Sequence, residues 1–95
     1  QPRVPFGALI EGGLLRTGDT LFDKSGRHQA RIRADGSLVT KSNQTGSIHG
    51  LGASLQDQPS CNGWLYWHVR KNGTDICIDA LRDEYRRQNN GQDKP

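Results

Sequence analysis

Long apolar runs are missing from this chain: no stretch approaches the roughly 20 consecutive apolar residues that cross a bilayer. A charged segment leading into an apolar one is missing too, so a secretory signal is not expected and the reading is cytoplasmic. Cysteine stops at Cys61 and Cys77, which form neither a CxxC pair nor a zinc-ligand spacing, and reduced thiols are the plain reading. Glutamate is limited to Glu11 and Glu84. No Gly-rich phosphate or cofactor loop lies between a strand and a helix, and there is no HExxH and no Gly-x-Ser-x-Gly elbow. His28, His49 and His68 stand at spacings that match no metal or nucleophile motif. These absences turn the reading away from catalysis and towards binding.

What is present is enough for one modest core. Hydrophobic residues make up 32% of 95 residues, and two Trp, two Tyr and two Phe recur along the length, which suits one small domain rich in turns. The net charge is +3 with 13 Lys and Arg against 10 Asp and Glu, a mild bias towards polyanions. Nine of those cations are Arg, whose planar fork suits phosphates and guanine edges. They cluster around Arg27, Arg31 and Arg33 and again at Arg82, Arg86 and Arg87. Ordinary solvated faces would show the same clusters.

Along the chain, Val4 to Glu11 reads as a short helix with Pro5 in its first turn, stopped by Gly12-Gly13. A brief strand follows at Thr20 to Phe22. Gln29 to Arg33 and Leu38 to Thr40 read as a hairpin about a two-residue Asp35-Gly36 turn, so Arg33 is expected opposite Leu38 and Ile32 opposite Val39. Ala30, Ile32 and Val39 then share the inner face, and Arg31 and Arg33 the outer one. Lys41 to Gly46 reads as a polar loop. Ser47 caps a short amphipathic helix from Ile48 to Gln56. Trp64 to Arg70 reads as a strand paired across Asn72-Gly73 with Asp75 to Ile78. Asp79 caps a last helix, Ala80 to about Gln88, with Leu81 and Tyr85 inward, and the tail from Asn89 to Pro95 is expected to fray. The predicted architecture is α+β: two hairpins in a small, mostly antiparallel sheet packed with three short helices, residues 1–88 forming the domain and 89–95 a disordered tail.

Register in the second hairpin sends Leu65, Trp67, Val69, Ile76 and Ile78 into the core and Trp64, Tyr66, His68 and Arg70 to the other face. An aromatic among polar groups there suits stacking on bases, worth about 1 to 3 kcal/mol per base. A helix covering that face would instead make Trp64 a core residue. Ser47 and His49 stand at a helix start, where a hydroxyl and free N–H groups form a ready phosphate site, although a bland cap explains Ser47 equally well. Asn62 carries an amide able to read adenine, and Asn-Gly is also a common turn.

Six segments in this order carry a resemblance: Arg3 to Gly7, Gly13-Leu14-Leu15, Arg33 to Leu38, Gly46-Ser47-Ile48-His49, Cys61-Asn62-Gly63-Trp64 and Ile78 to Arg82. Together they resemble the C-terminal domain of the cell-cycle-regulated bacterial DNA adenine methyltransferases and are similar to RAMA domains. Asp57 departs from that pattern where Gly is expected, and Tyr66 where Phe is usual.

The resemblance implies a parent enzyme that methylates adenine N6 in double-stranded GANTC as a homodimer, using S-adenosylmethionine held in a separate catalytic domain. Its Asp-Pro-Pro-Tyr and Phe-x-Gly-x-Gly motifs are missing here, so no catalytic residue, cofactor or metal is assigned to this chain. Double-stranded DNA, with strands opened for base extrusion, is the implied partner beside the chain's own catalytic domain, near the nucleoid and away from any membrane. Ser47, Asn62, Trp64 and Arg82 are the DNA-contact residues that the resemblance implies. His49, Arg31, Arg33 and Arg86 join them on the chemistry of helix starts and cations. The alternative is a dimerisation or docking module that buries Trp64 and Tyr66 against a partner chain.

Overall fold

The computed structural model of the protein describes residues 4–92; Arg3 of the first motif and positions 93–95 of the expected tail lie outside the described residues. Helix α1, Phe6–Glu11, starts after extended Pro5. Gly13 then takes φ +79°, and the Leu14 N–H returns to the Leu9 carbonyl at 2.9 Å, as in a left-handed helix stop. Six strands follow in one antiparallel sheet: β1 (Thr20–Phe22), β2 (Gln29–Ile32), β3 (Leu38–Val39), β4 (Thr45–Gly46), β5 (His68–Lys71) and β6 (Thr74–Cys77). Their spatial order is β4-β3-β2-β1-β5-β6. The α+β class holds, but β1 joins the two expected hairpins into a single sheet through the Phe22↔His68 bridge.

The first hairpin is one residue out of the expected register. Ile32 pairs with Leu38 and Arg31 with Val39. The loop is the three-residue Ala34-Asp35-Gly36, closed by Arg33 N–H to Ser37 O at 2.8 Å and Gly36 N–H to Arg33 O at 3.0 Å, with Gly36 at φ +87°. Asp35 stabilises this longer turn by accepting the Ser37 N–H and hydroxyl. Such a loop, a tight turn followed by a left-handed glycine, moves Leu38 inward in place of Val39. The expected loop before Ser47 also hides β4, which pairs with β3 once Asn43 takes φ +68° and the Gln44 N–H reaches Thr40 Oγ1. The second hairpin keeps its expected register, Arg70↔Asp75 and Val69↔Ile76, because Asn72 and Gly73 both adopt the positive φ of a two-residue turn.

Helix α2 spans Ile48–Leu55 and ends in a Schellman motif: Gln58 N–H to Ala53 O at 2.9 Å and Asp57 N–H to Ser54 O at 3.1 Å, with Asp57 at φ +55°. Trp64, Leu65 and Tyr66, expected to begin a strand, instead form with Gly63 the single turn α3, Gly63–Tyr66. The Asn62 side chain accepts the Trp64 N–H, so the chain starts a helix before it can extend. Alternation is lost there: Trp64 is 7% exposed, while Leu65, expected in the core, is 59% exposed. Helix α4 runs Ile78–Gln92, longer than expected, with Asp79 in its first turn and Leu81 buried.

Leu21, Ala30, Ile32, Leu38 and Val69 from one side of the sheet form a single core with Leu9, Ile48, Leu51, Trp64, Trp67 and Leu81. Trp67 is its centre, fully buried as expected, with Nε1 donating to the Ile48 carbonyl at 2.9 Å. The other side, with Thr20, Gln29, Arg31, Arg70 and Asp75, faces solvent. Among the described residues no helix is long and apolar enough to cross a membrane.

Candidate nucleic-acid interface

The starts of α2 and α3 and one side of α4 meet around a shallow cleft of about 1010 Å³. Ser47, His49, Asn62, Trp64, Arg82 and Arg86 all line it, and Phe6 joins them from α1. Residues as far apart in sequence as Phe6 and Arg86 are thus brought onto one surface. Six of the eight candidate DNA-contact residues are gathered there. Arg31 and Arg33 are not: Arg31 lies on the solvent face of β2 and Arg33 at the exposed start of the β2–β3 turn.

Ser47 Oγ accepts the Gly50 N–H at 2.9 Å, which leaves the Ile48 and His49 amides of the first turn without intrahelical acceptors. Its hydroxyl hydrogen remains available, so the capping and ligand readings coexist. His49 Nδ1 accepts the Gly63 N–H at 2.9 Å. In the neutral ring that bond places the proton on Nε2, turning the imidazole into a donor away from the junction. The packing of α2 on α3 is close enough to demand glycine: a Cβ at Gly63 would stand 2.4 Å from the Ile48 carbonyl carbon and oxygen and 2.8 Å from His49 N. Gly63 is therefore what holds the two helix starts together, a role the Asn-Gly pair alone did not reveal.

Asn62 spends one oxygen lone pair on the Trp64 N–H at 3.1 Å. Its amide N–H groups remain as donors. Trp64 is not the outward strand residue that alternation predicted. Its ring lies 6.2 Å from Phe6 and 4.4 Å below the Arg82 guanidinium, which together cover it. Arg82 is held further by Asp79, which takes Nε at 2.9 Å and also Nη2, leaving Nη1 and the outer surface of the fork for a ligand. Arg86 reaches Asp83 at 3.4 Å through Nη1, while its buried Nε has no partner among the described residues. Asp79, expected from the sequence only as a cap, is thus the group that aims Arg82.

Behind the cleft, Tyr66 meets Trp67 edge-on and points its hydroxyl at Asp23, 3.4 Å away. Burial first, and then Asp23, push the Tyr66 phenol up to about 12. Burial on its own would raise Asp23, but the Ser25 hydroxyl and backbone donors outweigh it and hold the carboxyl below its ordinary range. Cys61 and Cys77 are free thiols with separate partners: Cys61 Sγ accepts from Gln56, and Cys77 Sγ donates to the Trp64 carbonyl at 3.0 Å.

From residue 1 to residue 91 the sequence matches the family described as Restriction Enzyme Adenine Methylase Associated, RAMA. The chain belongs to the RAMA family. It is also similar to the Type II methyltransferase M.HinfI of Haemophilus influenzae, at 39% identity over 87 residues. That alignment covers 92% of this chain and 24% of the relative, so the chain spans about a quarter of the length of the protein it matches. The RAMA match runs through every residue of the cleft, from Val4 to Arg86.

Proposed function

We propose that this RAMA domain binds duplex DNA through the cleft, on behalf of an adenine-N6 methyltransferase catalytic domain carried by the same protein. The observation that supports this most is the convergence of Ser47, His49, Asn62, Arg82 and Arg86, drawn from three separate helices, onto one polar surface. The chemistry suits an opened strand. First-turn amides of α2 and the Ser47 hydroxyl offer a phosphate site, the Asn62 amide and His49 Nε2 offer donors to base edges, and Arg82 adds a fixed cation. Trp64 acts through Arg82 in this reading, as the platform that orients it.

The similarity to M.HinfI and the family's description support an adenine-methylating parent. We assign to that parent the GANTC target, the cell-cycle-regulated type, S-adenosylmethionine and the homodimeric state. A target adenine must leave the stack to be methylated, at a cost of a few kcal/mol, and contacts to the opened strands offset part of that cost.

Titration of the 95-residue chain onto a GANTC duplex at rising salt tests the reading. Binding that weakens steeply with ionic strength and drops about tenfold or more in Arg82→Ala supports it. No binding at low salt together with tight self-association would hand the domain to docking. Docking through Trp64 finds little surface, since that ring is already covered within the chain.

A further inference from the structure

The four ion pairs among the described residues engage Arg70, Arg82, Arg86 and Arg87. Every arginine of α4 is therefore paired with a carboxylate three residues earlier, and Arg82 and Arg86 are the cations that line the cleft. The cations without such a partner among the described residues lie elsewhere, in the sheet and its turns: Arg16, Lys24, Arg31, Lys41 and Lys71 are among them. Much of the domain's unpaired positive charge thus lies away from its cleft.

Part of that charge surrounds a built feature. Strands β1 and β5 share the single bridge Phe22↔His68 and then diverge. The notch between them is a concavity of about 790 Å³ lined by Arg16, Lys24, Arg70 and Lys71 along with Thr20 and Gln29. Phe22 forms its floor, stacked on His68 at 6.4 Å, with the Arg70 guanidinium 5.8 Å from the ring centre. Arg31, opposite Thr20, continues the cationic surface on the same side of the sheet. Two carboxylates also line the notch. Asp75 holds Arg70 Nε at 2.9 Å, and Asp19 is turned back onto the Arg16 backbone N–H at 2.9 Å.

The geometry points to a second nucleic-acid surface: the solvent face of the sheet, centred on Arg16, Lys24, Arg31 and Arg70, grips the phosphate backbone of duplex DNA. It rests on the DNA-binding reading above and adds a surface to it on the side of the sheet away from the helices. Charge complementarity selects this occupant. A docked protein would want an apolar centre depleted of lysine, whereas this notch presents Arg16 and Lys24 beside the Asp75-paired Arg70, and the exposed large hydrophobic of the described residues, Leu65, lies on α3 instead. Phosphates need cations spread over a wide, wet surface and no apolar core.

The triple variant Arg16→Gln, Lys24→Gln, Arg31→Gln removes charge from exposed positions without touching the cleft. Its affinity for a duplex is expected to fall about tenfold, and the slope of log affinity against log salt to shrink by about 2 to 3, near 0.9 for each phosphate that is no longer neutralised. Circular dichroism and melting temperature confirm that the fold is kept. Arg82→Ala runs in parallel. If Arg82→Ala weakens binding and the triple variant matches wild type in affinity and slope, the sheet surface is refuted while the cleft stands, and these cations are left for an acidic protein partner. If the triple variant weakens binding and Arg82→Ala does not, the sheet is the DNA surface and the cleft reading fails. If wild type binds no duplex at low salt, both fail together.

Discussion

The Arg82 guanidinium stands 4.4 Å from the centre of the Trp64 ring while Asp79 holds its Nε–Nη2 edge, so cation, indole and carboxylate form one fixed unit at the edge of the cleft. A lysine keeps the charge but cannot keep the planar fork that stacks and pairs at once. Arg82→Lys is therefore expected to lower duplex affinity about tenfold while shifting stability by no more than about 1 kcal/mol, the scale of an exposed cation–π contact. Fluorescence anisotropy and denaturant melts measure the two effects separately. Wild-type affinity in Arg82→Lys would mean that charge alone, and not the aimed fork, matters at this position.

Removing the platform should do more harm than removing the cation. Trp64 is 7% exposed between Phe6 and Arg82, and truncating a buried tryptophan to alanine costs about 3 to 5 kcal/mol. Trp64→Ala is expected to lose that much in urea unfolding, enough to unfold much of a small domain. Trp64→Phe should recover a good part of it. A fully folded Trp64→Ala with weakened DNA binding would restore the outward placement that strand alternation predicted.

The gap between those two outcomes shows where the sequence was legible. Asn72-Gly73 specified the second hairpin and its register because both positions need φ > 0, and few residue pairs accept that. Ser47 and Trp67 were equally plain, as a cap and as an all-buried aromatic. Asp35-Gly36 misled because the same pair fits a two-residue turn and the end of a three-residue one; Ser37, bonded to Asp35, tips the choice, and that bond is not a pattern of hydrophobicity. The turn α3 was missed for a tertiary reason. Asn62 caps it and His49, 14 residues earlier, binds the Gly63 N–H, so a segment with strand composition is held in a helical turn. The candidate cleft was legible as a set of residues, but the partnering of its arginines with Asp79 and Asp83 was not.

Gly63 gives the sharpest steric expectation. A methyl group there meets backbone atoms at 2.4 Å, and backbone cannot rotate aside as a side chain can. Gly63→Ala should destabilise by at least the 1 to 3 kcal/mol typical of overpacking, about 3 kcal/mol or more because the obstacle is main chain. The His49 imidazole reports the break directly: its ring signals in an NMR spectrum should move as the Gly63 N–H leaves Nδ1. An unshifted His49 in a stable Gly63→Ala protein would contradict the close packing of α2 and α3.

At the end of α2 the opposite substitution should help. Asp57 is held at φ +55° to close the Schellman motif, a conformation that costs an L-residue about 1 to 2 kcal/mol and glycine almost nothing. Glycine also has more freedom to lose on folding, which offsets part of the gain. Asp57→Gly is expected to raise stability by about 0.5 to 1 kcal/mol, read as a higher melting temperature, with DNA affinity unchanged because residue 57 does not line the cleft. A destabilised Asp57→Gly would show that the aspartate contributes more at this position than its strain takes away.

Tyr66 makes the stability of the domain sensitive to alkali. Its phenol is pushed up to about 12 by burial, with Asp23 adding to the effect, against 10.0 in the unfolded chain. The folded state thus holds this proton more tightly than the unfolded state does. That contribution is fully present below pH 10 and is lost as the pH rises from about 10 towards 12, because the unfolded tyrosine ionises first. Half-burial lets solvent screen part of the effect, so the loss is smaller than the full displacement implies. Tyr66→Phe deletes the ionising group and the 3.4 Å hydrogen bond to Asp23, which is long enough to be weak. The variant should therefore lie within about 1 kcal/mol of wild type at pH 8. Between pH 10 and 12 it should lose less stability than wild type, as followed by urea midpoints at successive pH values. Parallel curves for the two proteins across that window would mean that the phenol is no more buried in the folded domain than in the unfolded chain.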